Sequence, residues 1–145
     1  MSLSAIDLHF LQMASTVAQS DPEQVRPGST VNVTRHARGA VIAKGNKALG
    51  QGRSTHMGGD LDNTDVSDRY TASLNAEIVA MSDFLAKNHG NFVGCTIYCS
   101  TPPNWLTWKN VVALGIKRIV HYGPIEDPKV QFYSQKLGVE TISAA

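Results

Sequence analysis

Two short stretches carry residues whose types and spacing could do chemistry. Asn75-Ala76-Glu77 sets a carboxyl group two residues after an amide, at the expected start of a helix. Ser100-Thr101-Pro102-Pro103-Asn104-Trp105-Leu106-Thr107 sets an amide and a hydroxyl three residues apart, at the expected start of another. A carboxyl group can serve as a general acid/base where it meets a substrate, a role that residue type alone leaves open for Glu77. A first-turn acid is also favoured by the helix macrodipole alone, and Asn75 is a good N-cap with no ligand in view. Asn104 and Thr107 read as polar walls. Cys95 and Cys99 fall four residues apart on one expected strand, about 13 Å from each other by strand rise. They cannot share a metal ion and read as small buried hydrophobes. Asp60, Asp62, Asp65 and Asp68 lack the spacing and closing Glu of a calcium loop, which leaves a solvated acidic loop. Trp105 and Trp108 read as packing or subunit-contact residues rather than platforms for bases.

The elements that must position these residues follow from hydrophobic periodicity. Ser4 to Gln19 is expected as a helix, with Ile6, Phe10, Met13 and Val17 on its inner face. Asp21-Pro22 and Pro27-Gly28 end it and open a polar loop. Ala40 to Ala43 reads as a buried strand, and Lys47 to Gly52 as its hairpin partner, weakened by Gly50 and Gly52. Arg53 to Tyr70 is a long polar, glycine-rich loop, a kind of segment that often carries function. Ala76 to Lys87 is the second helix, with Ile78, Met81, Phe84 and Leu85 inside. Phe92 to Cys99 is a strand, Pro102-Pro103 opens a third helix to Leu114, and Ile116 to Tyr122 is the next strand. Asp127 to Leu137 and Val139 to Ser143 add a last helix and strand. The order α-β-β-α-β-α-β-α-β predicts an α/β three-layer α-β-α sandwich around a five-stranded mixed sheet.

Composition bounds the function. A chain of 145 residues with 42% apolar and 17% charged residues fits one globular domain over 1–145, with core enough to fold without staples. Thirteen basic against twelve acidic residues give a net charge of +1, so nucleic acid is not an expected partner. No apolar run approaches the roughly 20 residues of a membrane span. Met1 to His9 has neither a basic nor an apolar signal region, so a cytoplasmic protein is expected and the Asn32-Val33-Thr34 acceptor pattern carries no glycan.

The two stretches, together with Gly115-Ile116-Lys117-Arg118-Ile119-Val120 and Arg38-Gly39-Ala40-Val41-Ile42, resemble the cytidine deaminase-like superfamily. The likeness is closest to its deoxycytidylate (dCMP) deaminase branch. That superfamily carries His-Ala-Glu at one helix start and Pro-Cys-x-x-Cys at the next, with the Glu as acid/base and the other three as zinc ligands. Gly52 to Gly59 stands where the branch has a substrate loop, and Arg69-Tyr70 also looks like it. The resemblance makes Glu77 the catalytic candidate and Ser54, His56, Asn75, Ala76, Asn104 and Thr107 the substrate-binding candidates. It also aligns Asn75, Asn104 and Thr107 with the three zinc ligands. Neutral amides and a hydroxyl are poor zinc ligands, so no metal or other cofactor is expected.

The resemblance therefore implies a zinc-less dCMP deaminase-like protein that binds a (deoxy)nucleotide or a partner subunit without deaminating it. The alternatives are an enzyme using Glu77 in metal-independent chemistry, or a dCMP deaminase whose zinc ligands were removed. A homo-oligomer is expected, with the Trp105 to Val112 helix as a subunit contact.

Overall fold

The computed structural model describes residues 3–19, 38–56 and 73–144. Of the expected loop from Arg53 to Tyr70, Arg53 ends a strand and Thr55–His56 form another, while 57–70, with Asp60, Asp62, Asp65, Asp68, Arg69 and Tyr70, lies outside the described residues, as do 71–72 and 20–37. The elements in chain order are α1 (Ala5–Gln19), β1 (Gly39–Lys44), β2 (Lys47–Arg53), β3 (Thr55–His56), β4 (Ser73–Leu74), α2 (Ala76–Ala86), β5 (Thr96–Cys99), α3 (Trp105–Ala113), β6 (Arg118–His121), α4 (Pro128–Leu137) and β7 (Glu140–Ser143). Five strands form one mixed sheet in the order β2-β1-β5-β6-β7, and β3 and β4 make a separate two-stranded pair. Strand β1 runs antiparallel to β2 and β5, whereas β5, β6 and β7 are parallel.

Alternation along the strands builds two cores, as the two-residue strand period requires. Ala40, Ile42, Ile97, Cys99 and Ile119 face α2, α3 and α4, together with Met81, Phe84, Trp108 and Val130. Val41, Ala43, Tyr98, Val120 and Ile142 face α1 through Phe10, Leu11 and Ala14. The three-layer α/β sandwich with a five-stranded mixed sheet is thus present. Among the described residues, no helix is long and apolar enough to cross a membrane.

Several expected details are corrected. The buried face of α1 is Asp7, Phe10, Leu11, Ala14 and Ala18, whereas Ile6 is exposed. Asp7 is drawn inward by a bidentate ion pair with Arg118 and a bond from the Tyr98 hydroxyl, and the alanines let the helix lie close to β1. Likewise α2 buries Ala80, while Leu85 is exposed. A Cβ on Gly50 would come within 2.7 Å of the Ala80 carbonyl oxygen, and one on Gly52 within 2.5 Å of the Ala80 nitrogen. The glycines do not weaken the hairpin; they let α2 seat directly on β2. Strand β5 begins only at Thr96, because Gly94 at φ +78° turns the chain and leaves Cys95 in that turn. Helix α3 begins after Pro102-Pro103, since Asn104 is its N-cap.

Candidate functional site

The carboxyl ends of the parallel strands lie level with one another: Cys99 of β5 is in register with His121 of β6, and His121 with Ser143 of β7. Ala40, near the start of antiparallel β1, is paired with Cys99. Ligands of open α/β sheets gather at such an edge, and here the amino ends of α2 and α3 meet it.

Each helix start is fixed by its own asparagine. The Asn75 Oδ1 accepts the Ile78 backbone N–H at 2.9 Å, and the Asn104 Oδ1 accepts the Thr107 N–H at 2.8 Å. Both are N-caps that satisfy an amide left without an intrahelical partner. The spare Asn75 amide then crosses between helices and donates to the Thr107 hydroxyl at 3.2 Å. The two helix starts are thereby joined side chain to side chain.

Glu77 follows in the first turn of α2 and is 1% exposed. Its Oε1 lies 3.7 Å from the Arg38 guanidinium, and its Oε2 is buried with no hydrogen-bond partner among the described residues. The Cys99 thiol is the other neighbour: burial, and then the nearby Glu77 carboxyl, push its pKa well above the ordinary thiol value. Ala76 is fully buried beside Glu77. Ser54 reaches the site indirectly, its hydroxyl accepting the Arg38 backbone N–H at 3.2 Å and its own N–H donating to the Arg38 carbonyl at 2.9 Å. His56 falls in β3, and its side chain lies outside the described residues.

Two residues of the site escape motif reading. Arg38 stands just before β1 and outside both helix-start stretches, and only its long reach carries it to Glu77. His121 closes β6 fully buried, with its Nδ1–H donated to the Tyr122 carbonyl at 3.2 Å and its Nε2 unpartnered. Burial pushes its pKa down, against the backbone hydrogen bonds that raise it. A histidine directly after the buried Ile119-Val120 pair, at the carboxyl edge of the strand, is the signal that could have found it.

The arrangement offers one buried carboxyl group beside an arginine and a buried thiol, with the polar side chains of Asn75, Asn104 and Thr107 gathered at the two helix starts. A zinc ion does not fit those three side chains. Two amides and a hydroxyl present no thiolate, imidazole or carboxylate, and their oxygens are engaged in capping or with each other. Among the described residues, no group of three or more His, Cys, Asp or Glu side chains is placed to hold a metal ion.

No protein-family model and no curated protein sequence matches the chain. Solved structures do. The dCMP deaminase of the cyanophage S-TIM5 in its apo form is similar with a TM-score of 0.72 at 18% identity, over 98% of this chain and 99% of that one. The same enzyme in complex with dCMP and dUMP is similar with a TM-score of 0.71 at 19% identity, over 99% of both chains. A diaminohydroxyphosphoribosylaminopyrimidine deaminase/5-amino-6-(5-phosphoribosylamino)uracil reductase from Thermotoga maritima is similar with a TM-score of 0.63 at 18% identity; 95% of this chain covers 36% of that larger one. With its sheet order, its helix starts and these neighbours, the chain has the α/β fold of the cytidine deaminase-like deaminases.

Proposed function

We propose that this protein is a zinc-less relative of the dCMP deaminases, which binds a (deoxy)nucleotide in the Glu77 pocket and does not deaminate it. The observation that carries the reading is the 3.2 Å hydrogen bond from the Asn75 amide to the Thr107 hydroxyl. Both belong to positions that the sequence resemblance aligns with zinc ligands, and they satisfy each other instead. Hydrolytic deamination of a cytosine needs a water made acidic, and zinc lowers that pKa from 15.7 towards about 7. Glu77 alone supplies general acid/base help of about 10²–10⁴-fold, far below an enzymatic acceleration. It remains suited to binding, because its Oε2, without a hydrogen-bond partner among the described residues, is an acceptor for an N–H of a base edge. The complex of the cyanophage enzyme with dCMP and dUMP supports these two nucleotides as first probes.

Elemental analysis, titration calorimetry with dCMP and dUMP, and a dCMP deamination assay test the reading on one preparation. We expect no stoichiometric zinc, heat of binding for at least one nucleotide, and no turnover. The triple change Asn75→His, Asn104→Cys, Thr107→Cys is expected to take up zinc. One zinc per chain with turnover in the unaltered protein would refute the reading, and turnover without zinc would establish metal-independent chemistry at Glu77. The protein is also expected to be at least a dimer by light scattering at micromolar concentration, with Leu106, 58% exposed on α3, at the contact. A monomer mass removes that part.

A further inference from the structure

A buried carboxylate is costly unless a cation or several donors accompany it. The Asn75, Asn104 and Thr107 side chains at the two helix starts are neutral, and the group of opposite charge reaching Glu77 among the described residues is Arg38. This arginine is not a loose surface side chain. Its Nε donates to the Thr101 hydroxyl at 2.6 Å and its Nη2 to the Pro102 carbonyl at 2.9 Å. Its backbone exchanges hydrogen bonds with Ser54 on one side, and the adjoining Gly39 exchanges two with Ser100 on the other. The guanidinium is thus held from both ends, 24% exposed, with Nη2 3.7 Å from the Glu77 Oε1. A guanidinium keeps its charge at any physiological pH.

We propose that Arg38 is the built-in cation of this pocket. It fills the electrostatic role that a divalent metal plays in a zinc site, and its charge disfavours entry of such a metal beside Glu77. By engaging Oε1 it leaves Oε2 as the acceptor. Neither the ion pair nor the exclusion of metal rests on the nucleotide-binding reading.

The test has two parts that need no nucleotide. The first is a urea-unfolding cycle of Arg38→Met, Glu77→Gln and the double change. Arg38→Met is expected to lower the folding constant at least tenfold more in the Glu77 protein than in the Glu77→Gln background. Failure to fold that is rescued by Glu77→Gln gives the same result, whereas additive effects overturn the proposal. The second is zinc affinity, by chelator competition, of the Asn75→His, Asn104→Cys, Thr107→Cys variant with and without a change at Arg38. Arg38→Met is expected to tighten zinc binding at least tenfold, and Arg38→Lys, which keeps the charge, to leave it weak. Equal affinities, or no zinc uptake in any background, overturn the exclusion of metal. A merely structural arginine would not distinguish Met from Lys in zinc affinity. Absence of dCMP and dUMP binding in calorimetry counts against the nucleotide reading alone.

Discussion

Arg118→Met should undo the docking of α1, and its cost can be worked from the contacts. The Asp7 carboxylate, 5% exposed, accepts Arg118 Nη1 at 2.8 Å and Nη2 at 2.9 Å, the Tyr98 hydroxyl at 2.7 Å and the Ser4 N–H at 3.0 Å. The substitution removes two of these four bonds and the counter-charge. Charge-assisted bonds contribute about 1.5–3 kcal/mol each, and breaking a buried pair costs about 3–5 kcal/mol. The Arg118 side chain is 27% exposed, so water already weakens the pair, and the two remaining donors still hold the carboxyl. A net loss of about 2–4 kcal/mol follows, or roughly 10 °C in Tm for a domain of this size. The dependence on pH fixes the cause. The Arg118 guanidinium holds the Asp7 carboxyl well below the usual carboxylate range, against the opposing effect of burial. Between that value and the unfolded one near 3.9, the unfolded chain binds the extra proton. The contribution is complete above about pH 4 and falls by about 1.4 kcal/mol per pH unit below it. Urea unfolding at pH 7 and pH 3 should therefore show the gap between the two proteins narrowing at the lower pH. A gap under 1 kcal/mol at pH 7, or one equal at both pH values, would refute the reasoning.

Two further outcomes are expected. Gly52→Ala places a methyl group 2.5 Å from the Ala80 nitrogen and 2.8 Å from Val79 in α2, so α2 must shift, at a cost of about 1–3 kcal/mol, read as a lower urea midpoint with an unchanged slope. A thiol reagent at pH 7.5 should label neither Cys95 nor Cys99 in the folded protein and both in urea, because each is buried and burial pushes each thiol's pKa up; fast labelling of Cys99 in the native state contradicts its place under Glu77.

The order of elements was legible because the strands alternate cleanly and the helix ends carry their own signals. Asp127 caps α4, Pro128 opens it, and Gly138 closes it at φ +68°. Faces were legible only where bulk decided them. At α1 and α2 the sequence reading followed the large residues and chose Ile6 and Leu85, whereas close packing over Gly39, Gly50 and Gly52 selects Ala14, Ala18 and Ala80. Small residues carry little hydrophobic signal, yet they decide how near a helix can approach a sheet. Of the candidate residues that the resemblance points to, Asn75 and Asn104 are both bonded to Thr107, and Glu77 follows Asn75 in the first turn of α2. Arg38 was quoted only as part of a strand motif, since no local pattern shows that a side chain 39 positions before Glu77 will end beside it.

Those same bonds suggest how such a pocket could keep its shape without a metal. A zinc ion ties two helix starts together through side chains of both. Here Asn75 and Asn104 each cap their own helix, among the best residues for doing so, with an effect of about 1 kcal/mol apiece over alanine. The Asn75–Thr107 bond then makes the connection between helices, and Arg38 ties Glu77 to the segment leading into α3. Under the proposed reading, each task of the metal that concerns architecture has passed to a capping bond, a bridging bond or an ion pair. The task left without a successor is acidifying water, the one on which hydrolysis depends.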